Sequence, residues 1–223
     1  MKVCVIIIND GRNDYLQRTL ESFCDNVIFP EGCDVYKLLI DDVPAARTGT
    51  QLQRLIYFYK IDKCILNDEN TGISATVQKA WENVPEDCDY IWHQENDFIF
   101  TDKVYIEKFA AVLESPIIYQ VACLRQAWSE HEKQYGGIYQ SAPNLFKDAR
   151  FNDLDIVIHK EYFTHNPSLY RRDVIAQIPN YTEYSFKEYL MRKRAGYFAY
   201  WGKLTDKNLV EHIGYTKRGV GQI

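Results

Sequence analysis

The sequence has no C-x-x-C pair, no internal repeat, no low-complexity linker and no apolar stretch near membrane-spanning length. Each absence removes a class of protein. A spanning helix needs about 20 consecutive apolar residues, so no integral membrane association is expected. The opening run Met1-Lys2-Val3-Cys4-Val5-Ile6-Ile7-Ile8-Asn9-Asp10-Gly11 is β-branched and closed by turn residues, which reads as a buried strand and not as a signal peptide. The six cysteines, Cys4, Cys24, Cys33, Cys64, Cys88 and Cys123, are scattered, as expected of free thiols in a reducing cytoplasm. Neither G-x-x-x-x-G-K-[ST] nor G-x-G-x-x-G occurs, so ATP hydrolysis and ordinary dinucleotide binding have no motif behind them.

What is present is a chain of 223 residues, 46% apolar, enough for one compact domain over 1–223. The net charge is −5, unevenly spread: residues 1–120 carry 11 Lys+Arg against 20 Asp+Glu, and residues 121–223 carry 15 against 11. The basic second half, with Arg171-Arg172 and Arg192-Lys193-Arg194, is compatible with a side that meets phosphates or an anionic partner and equally with a solvated surface that has none.

Periodicity gives the order of elements. After the first strand, Asp14-Tyr15-Leu16-Gln17 has the form of a capping box, and Leu16, Leu20 and Phe23 recur at helical spacing. Residues 35–40 read as a second strand ending in Asp41-Asp42, and residues 63–66 as a third. A helix follows with Ile73, Val77, Ala80, Trp81 and Val84 on one face; residues 90–93 form the next strand and 104–113 the next helix, capped by Asp102. Alternating strands and amphipathic helices imply an α/β fold with a mainly parallel sheet covered on both faces. Ligands of such sheets bind beyond the carboxyl ends of the strands, where Asp10, Asp41, Asp42 and the triplet Glu95-Asn96-Asp97 all fall. The triplet interrupts an apolar segment, so its two carboxylates are expected in one cleft, where a hard divalent cation relieves their repulsion.

These pieces, in this order, resemble a known family. A strand over residues 3–10 with Arg12 and the helix Tyr15-Leu16-Gln17-Arg18-Thr19-Leu20-Glu21-Ser22-Phe23, then Leu39-Ile40-Asp41-Asp42, then Asn70-Thr71-Gly72-Ile73-Ser74-Ala75, then Glu95-Asn96-Asp97, are similar to the family 2-like nucleotide-sugar glycosyltransferases of the GT-A fold. The resemblance covers most of the first 115 residues. It implies a GT-A (Rossmann-like) mixed, mainly parallel sheet, with residues 1–115 as the nucleotide-sugar-binding half and 116–223 as the acceptor-binding half with a C-terminal tail. By resemblance Asp41 or Asp42 contacts the base and ribose, Asn70 and Gly72 pack by the nucleotide, and Asp97 binds the metal on the diphosphate. Asp10, Arg12 and Asn96 join the nucleotide-sugar set; Glu95, longer than the usual first Asp, is assigned to both the metal and the nucleotide sugar.

In the second half, His212 resembles the C-terminal histidine that completes the metal site, and Gly214, Lys217, Arg218 and Gly219 resemble a tail folding over the diphosphate. Lys217 and Arg218 suit that task because a buried pyrophosphate with one divalent ion keeps excess negative charge. Thr182 is placed to cap a helix with Phe186 and Leu190 buried, which puts Glu183 in its first turn; inverting GT-A enzymes carry their catalytic carboxylate at such a helix start, so the resemblance implies Glu183 as the candidate base, with Glu188 in reserve. Trp128, His165 and Asn166 are candidates to line the donor-sugar and acceptor pocket, beside a long loop over 129–150.

The expected function is metal-dependent transfer of a sugar from a nucleotide sugar, a UDP-sugar, to an acceptor hydroxyl with inversion. Mn²⁺ is favoured over Mg²⁺ if His212 ligates. The length resembles small bacterial or bacteriophage enzymes, and the acceptor classes left open are a hydroxylated base in nucleic acid, a protein side chain and a glycan precursor. Two rivals stand beside this: a sugar-phosphate nucleotidyltransferase, disfavoured because no Gly-rich, Arg- and Lys-bearing loop follows the first strand, and a non-catalytic nucleotide-sugar-binding module.

Overall fold

The computed structural model describes residues 1–43, 49–124, 143–178, 181, 196–203 and 206–214. At its centre β1 (Lys2–Asn9) lies between β3 (Asp34–Asp41) and β5 (Tyr90–Glu95), both parallel to it, and β4 (Lys63–Leu66) continues the parallel set beyond β3. In β1, Val3, Val5 and Ile7 alternate with Cys4, Ile6 and Ile8, and none of the six exceeds 5% exposure. Both faces are therefore covered, which is why the run is continuous in apolar residues. Burying each such side chain contributes about 1.5–3 kcal/mol, so this strand anchors the domain.

The two faces take different helices. Val3, Val5 and Ile7 meet Leu16, Leu20 and Phe23 of α1 (Asn13–Asn26), Leu52 and Leu55 of α2 (Thr50–Phe58) and Ile106 and Phe109 of α4 (Ile106–Leu113). Cys4, Ile6 and Ile8 meet Val77, Ala80 and Trp81 of α3 (Ile73–Glu82).

Beyond β5 the sheet becomes mixed. Its order is β4, β3, β1, β5, β11 (Ser168–Arg171), β8 (Ile118–Ala122), β12 (Tyr197–Trp201), β10 (Leu154–His159) and β9 (Lys147–Phe151). β11 runs antiparallel to β5 and β8, β12 runs parallel to β8, and β10 is antiparallel to both β12 and β9. A short helix, α5 (Asp173–Ala176), follows β11. Two small ladders complete the architecture: β6 (Phe98–Phe100) with β13 (Val210–His212), and β2 (Val27–Ile28) with β7 (Val104–Tyr105). No helix among the described residues is long and apolar enough to cross a membrane.

Three local expectations are corrected. Asp14 lies inside the first turn of α1 and Arg12 holds the N-cap position without a side-chain cap, so the capping box does not form. Asp102 accepts from the Lys103 amide and does not cap α4; Val104 and Tyr105 pair with β2, and the helix begins only at Ile106. The loop expected over 129–150 is interrupted by β9, whose hairpin to β10 turns at Asn152 and Asp153 with positive φ of 46° and 62°. Asn and Asp tolerate that left-handed region better than other side-chain-bearing residues. All six cysteines are free.

Candidate active site

Parallel register brings the acids together. Ile8 pairs with Glu95 and Asn9 with Asp41, so the carboxyl ends of β1, β3 and β5 terminate side by side. A cleft of about 550 Å³ opens there, lined by Asp10, Arg12, Asp42, Asn70, Gly72, Glu95, Asn96, Asp97, His165, Asn166, His212 and Gly214. A larger hollow of about 700 Å³ lies at the opposite end of the strands, by Met1, Asp89 and Tyr90, away from this constellation.

The cleft floor is a hydrogen-bonded clip centred on Asn96. Its Nδ2 donates to Asn9 Oδ1 at 2.7 Å and to Asp10 Oδ1 at 2.8 Å, while Thr19 Oγ1 donates to its carbonyl at 2.8 Å. Asn9 in turn donates to Asp41 Oδ1 at 3.2 Å. Asn9 was not singled out from sequence; an amide closing a β-branched strand just before an acid was the available signal.

Asp97 is the charged centre. Arg12 Nη2 donates to its Oδ2 at 2.8 Å, and Arg12 Nε donates to Asp10 at 2.8 Å. His212 Nε2 lies 3.3 Å from the same Oδ2. It arrives there because β13 pairs His212 opposite Phe98, and the Ile213 amide donates to the Asp97 carbonyl at 2.8 Å. Burial alone raises the Asp97 pKa, but the His212 and Arg12 partners outweigh it and hold the carboxyl below its ordinary range. Two buried atoms here have no hydrogen-bond partner among the described residues: Asp97 Oδ1 and Arg12 Nη1.

Glu95 turns elsewhere. Its Oε1 lies 3.8 Å from His165 Nδ1, so the two acids of the triplet share the cleft but face different partners.

The second-strand acids also divide. Asp41 is 1% exposed, and burial pushes its carboxyl up to about 6 despite the Asn9 hydrogen bond. Asp42 lines the cleft, and its carboxylate accepts from Asn67 Nδ2 at 2.7 Å, Thr71 N at 2.8 Å, Thr71 Oγ1 at 2.9 Å and Gly72 N at 2.9 Å. Asn70 Nδ2 donates to the Asp42 carbonyl at 3.1 Å. Asp42 thereby organises residues 67–72, and Gly72 at φ +81° supplies the backbone turn that an L side chain rarely adopts. Trp128, Glu183, Glu188, Lys217 and Arg218 lie outside the described residues.

The model of the family described as "Glycosyl transferase family 2" matches residues 3–179, which include every strand that builds this cleft except β13. The chain belongs to that family. Solved structures of glycosyltransferases and of TarS share the fold. The mannosyltransferase PcManGT from Pyrobaculum calidifontis, in complex with GDP-Man and Mn²⁺, superimposes with a TM-score of 0.63 at 14% identity over 97% of this chain. S. aureus TarS 1-349 in complex with UDP-GlcNAc gives 0.57 at 16% over 97%, and GalNAc-T7 with UDP, GalNAc and Mn²⁺ gives 0.59 at 12% over 90%. This family 2 chain spans 58%, 62% and 42% of those three chains, respectively. At such identities the likeness shows the GT-A fold. No curated protein matches the sequence.

Proposed function

We propose that the chain transfers a sugar from a nucleotide sugar, a UDP-sugar, to an acceptor hydroxyl with inversion, using a divalent cation held by Asp97 and His212. One observation carries this: the unpartnered Oδ1 of buried Asp97, beside the His212 imidazole, at the ligand-binding end of the sheet. A buried anionic oxygen without a donor is costly and calls for a cation. The donor set fits one. The unpartnered Asp97 Oδ1 and the His212 imidazole, whose Nε2 stands 3.3 Å from the other oxygen of the same carboxylate, would hold the ion. A carboxylate with an imidazole favours Mn²⁺ over Mg²⁺. When bound, the ion supplies charge stabilisation to the departing diphosphate.

The chain's own groups do the rest. Arg12, fixed by Asp10 and Asp97, has Nη1 left to donate to a diphosphate oxygen. Asp42 and the segment it organises, with Asn70 and Gly72, hold the base and ribose within residues 1–115. His165 and Asn166, which line the cleft, contact the donor sugar. Lys217 and Arg218 close over the diphosphate, and Trp128 lines the donor-sugar and acceptor pocket. The acceptor oxygen bonds to the anomeric carbon as the bond to the phosphate oxygen breaks; that electron pair leaves with UDP, and the hydroxyl proton passes to Glu183. Incubation with a panel of nucleotide sugars and acceptors, read by intact mass, tests the transfer; proton NMR of the product tests its stereochemistry. A product with the donor's own anomeric configuration rules out inversion, and no mass gain with any donor rules against transfer.

A further inference from the structure

Behind the Asp97 centre, the cleft wall holds a second group of metal-ligating side chains. His93 and Glu95 are two residues apart on β5 and so project from one face of the sheet. His165, just before β11, packs its ring edge against the His93 ring at a centroid distance of 5.3 Å. One ligand atom from each of His93, Glu95 and His165 lies within 4.8 Å of the others.

Two features set this group apart from an ordinary buried polar cluster. First, His93 has no exposed surface, and neither of its ring nitrogens has a hydrogen-bond partner among the described residues. A buried polar group in that condition is costly unless something else satisfies it. Second, His165 Nε2 stands 2.7 Å from the Tyr181 hydroxyl. With Nε2 as donor, the lone pair is left on Nδ1, the atom that has no hydrogen bond and faces Glu95 Oε1 at 3.8 Å. Metal-ligating histidines are oriented in this way by a partner on the other ring nitrogen.

We propose that His93, Glu95 and His165 form a second transition-metal site of the zinc class, distinct from the Asp97 and His212 centre. Two imidazoles and one carboxylate are a zinc ligand set that leaves a fourth position open. Tetrahedral ligands at about 2.0–2.1 Å stand about 3.3 Å apart, so the group contracts by up to about 1.5 Å on binding. The Glu95 side chain, 24% exposed and bearing three rotatable bonds, supplies that movement. An ion there ties the segment before β11 to the end of β5 and fixes the cleft wall that Glu95 and His165 form.

The test uses the full chain carrying Asp97→Asn and His212→Ala, so that the first centre is removed. After chelator treatment and dialysis against Zn²⁺, this variant is expected to retain one zinc per chain. Adding Glu95→Gln should weaken zinc about 100-fold; adding Tyr181→Phe, which keeps the ring and removes only the hydroxyl, should weaken it about 10–100-fold. Circular dichroism establishes that each variant is folded, and ¹⁵N shifts of the His93 and His165 rings should move on zinc addition. Absence of bound zinc in the double variant, or zinc binding indifferent to both Glu95→Gln and Tyr181→Phe, overturns the site. Zinc bound here by the double variant, together with no sugar transfer by the wild-type chain, would refute the proposed function and leave this site standing.

Discussion

Replacing Gly214 by alanine is expected to damage the site without unfolding the domain. A Cβ at Gly214 would stand 2.0 Å from Asp97 Oδ2, 2.7 Å from its Cγ and 2.9 Å from Arg12 Nη1. Ordinary contact begins at 3.4 Å, so either the carboxylate or the backbone at Gly214 must retreat by about 1.4 Å. The backbone is restrained: the neighbouring Ile213 amide donates to the Asp97 carbonyl at 2.8 Å, and β13 is held on β6. The carboxylate is restrained as well, by Arg12. A displacement of about 1 Å at a reacting centre can cost about 10²-fold in rate, so transfer should fall roughly 100-fold while the urea midpoint changes little. Gly49→Ala is the control, since a Cβ there meets nothing within 4 Å. Steady-state transfer and Mn²⁺ titration of both variants check this. Wild-type transfer by Gly214→Ala would refute the placement of residue 214 against Asp97.

Asp42→Ala removes the acceptor of four hydrogen bonds from residues 67–72 and should weaken UDP itself by about 1–3 kcal/mol; calorimetric titration showing unchanged UDP affinity would contradict its role. Asp41→Asn should alter the pH dependence of stability. Burial raises the folded pKa of Asp41 to about 6 from 3.8, so between those values the folded state keeps a proton that the unfolded chain has released. Stability due to this group is therefore present below about pH 4 and declines by up to about 3 kcal/mol as pH rises through 6. Urea unfolding at pH 4 and pH 7 should show that decline flattened in Asp41→Asn, and an unchanged profile would count against it. Glu183→Gln should lower turnover on the order of 10²–10⁴-fold with donor affinity nearly intact and Glu188→Gln close to wild type; the reverse pattern moves the base to Glu188.

The parallel half of the fold was legible because its signals are local. Strand-forming runs rich in β-branched, aliphatic or aromatic residues and ending in Asn, Asp or Glu mark β1, β3 and β5, and the ladder between parallel neighbours aligns those ends without further information. Long-range pairing was not legible. His212 reaches Asp97 only through the ladder between β13 and β6, elements more than 100 residues apart, and that proximity entered through resemblance alone. The three strands β8, β10 and β11 carry no turn pattern strong enough to order them, although Asn152-Asp153 does mark the β9 to β10 hairpin. Helix starts misled for a physical reason: Asp14 and Asp102 are acids near real helix N-termini, yet Arg12 turned into the cleft and the pairing of Val104 with Val27 shifted where each helix begins.

The most direct measurement is UDP-sugar turnover by wild type and Asp97→Ala, with Mn²⁺ and with excess chelator. The wild type should transfer sugar with Mn²⁺ and lose that activity in chelator, while Asp97→Ala should be inactive in both and bind the donor weakly. Full activity of Asp97→Ala in excess chelator would contradict the assignment of this cleft as a metal-dependent active site.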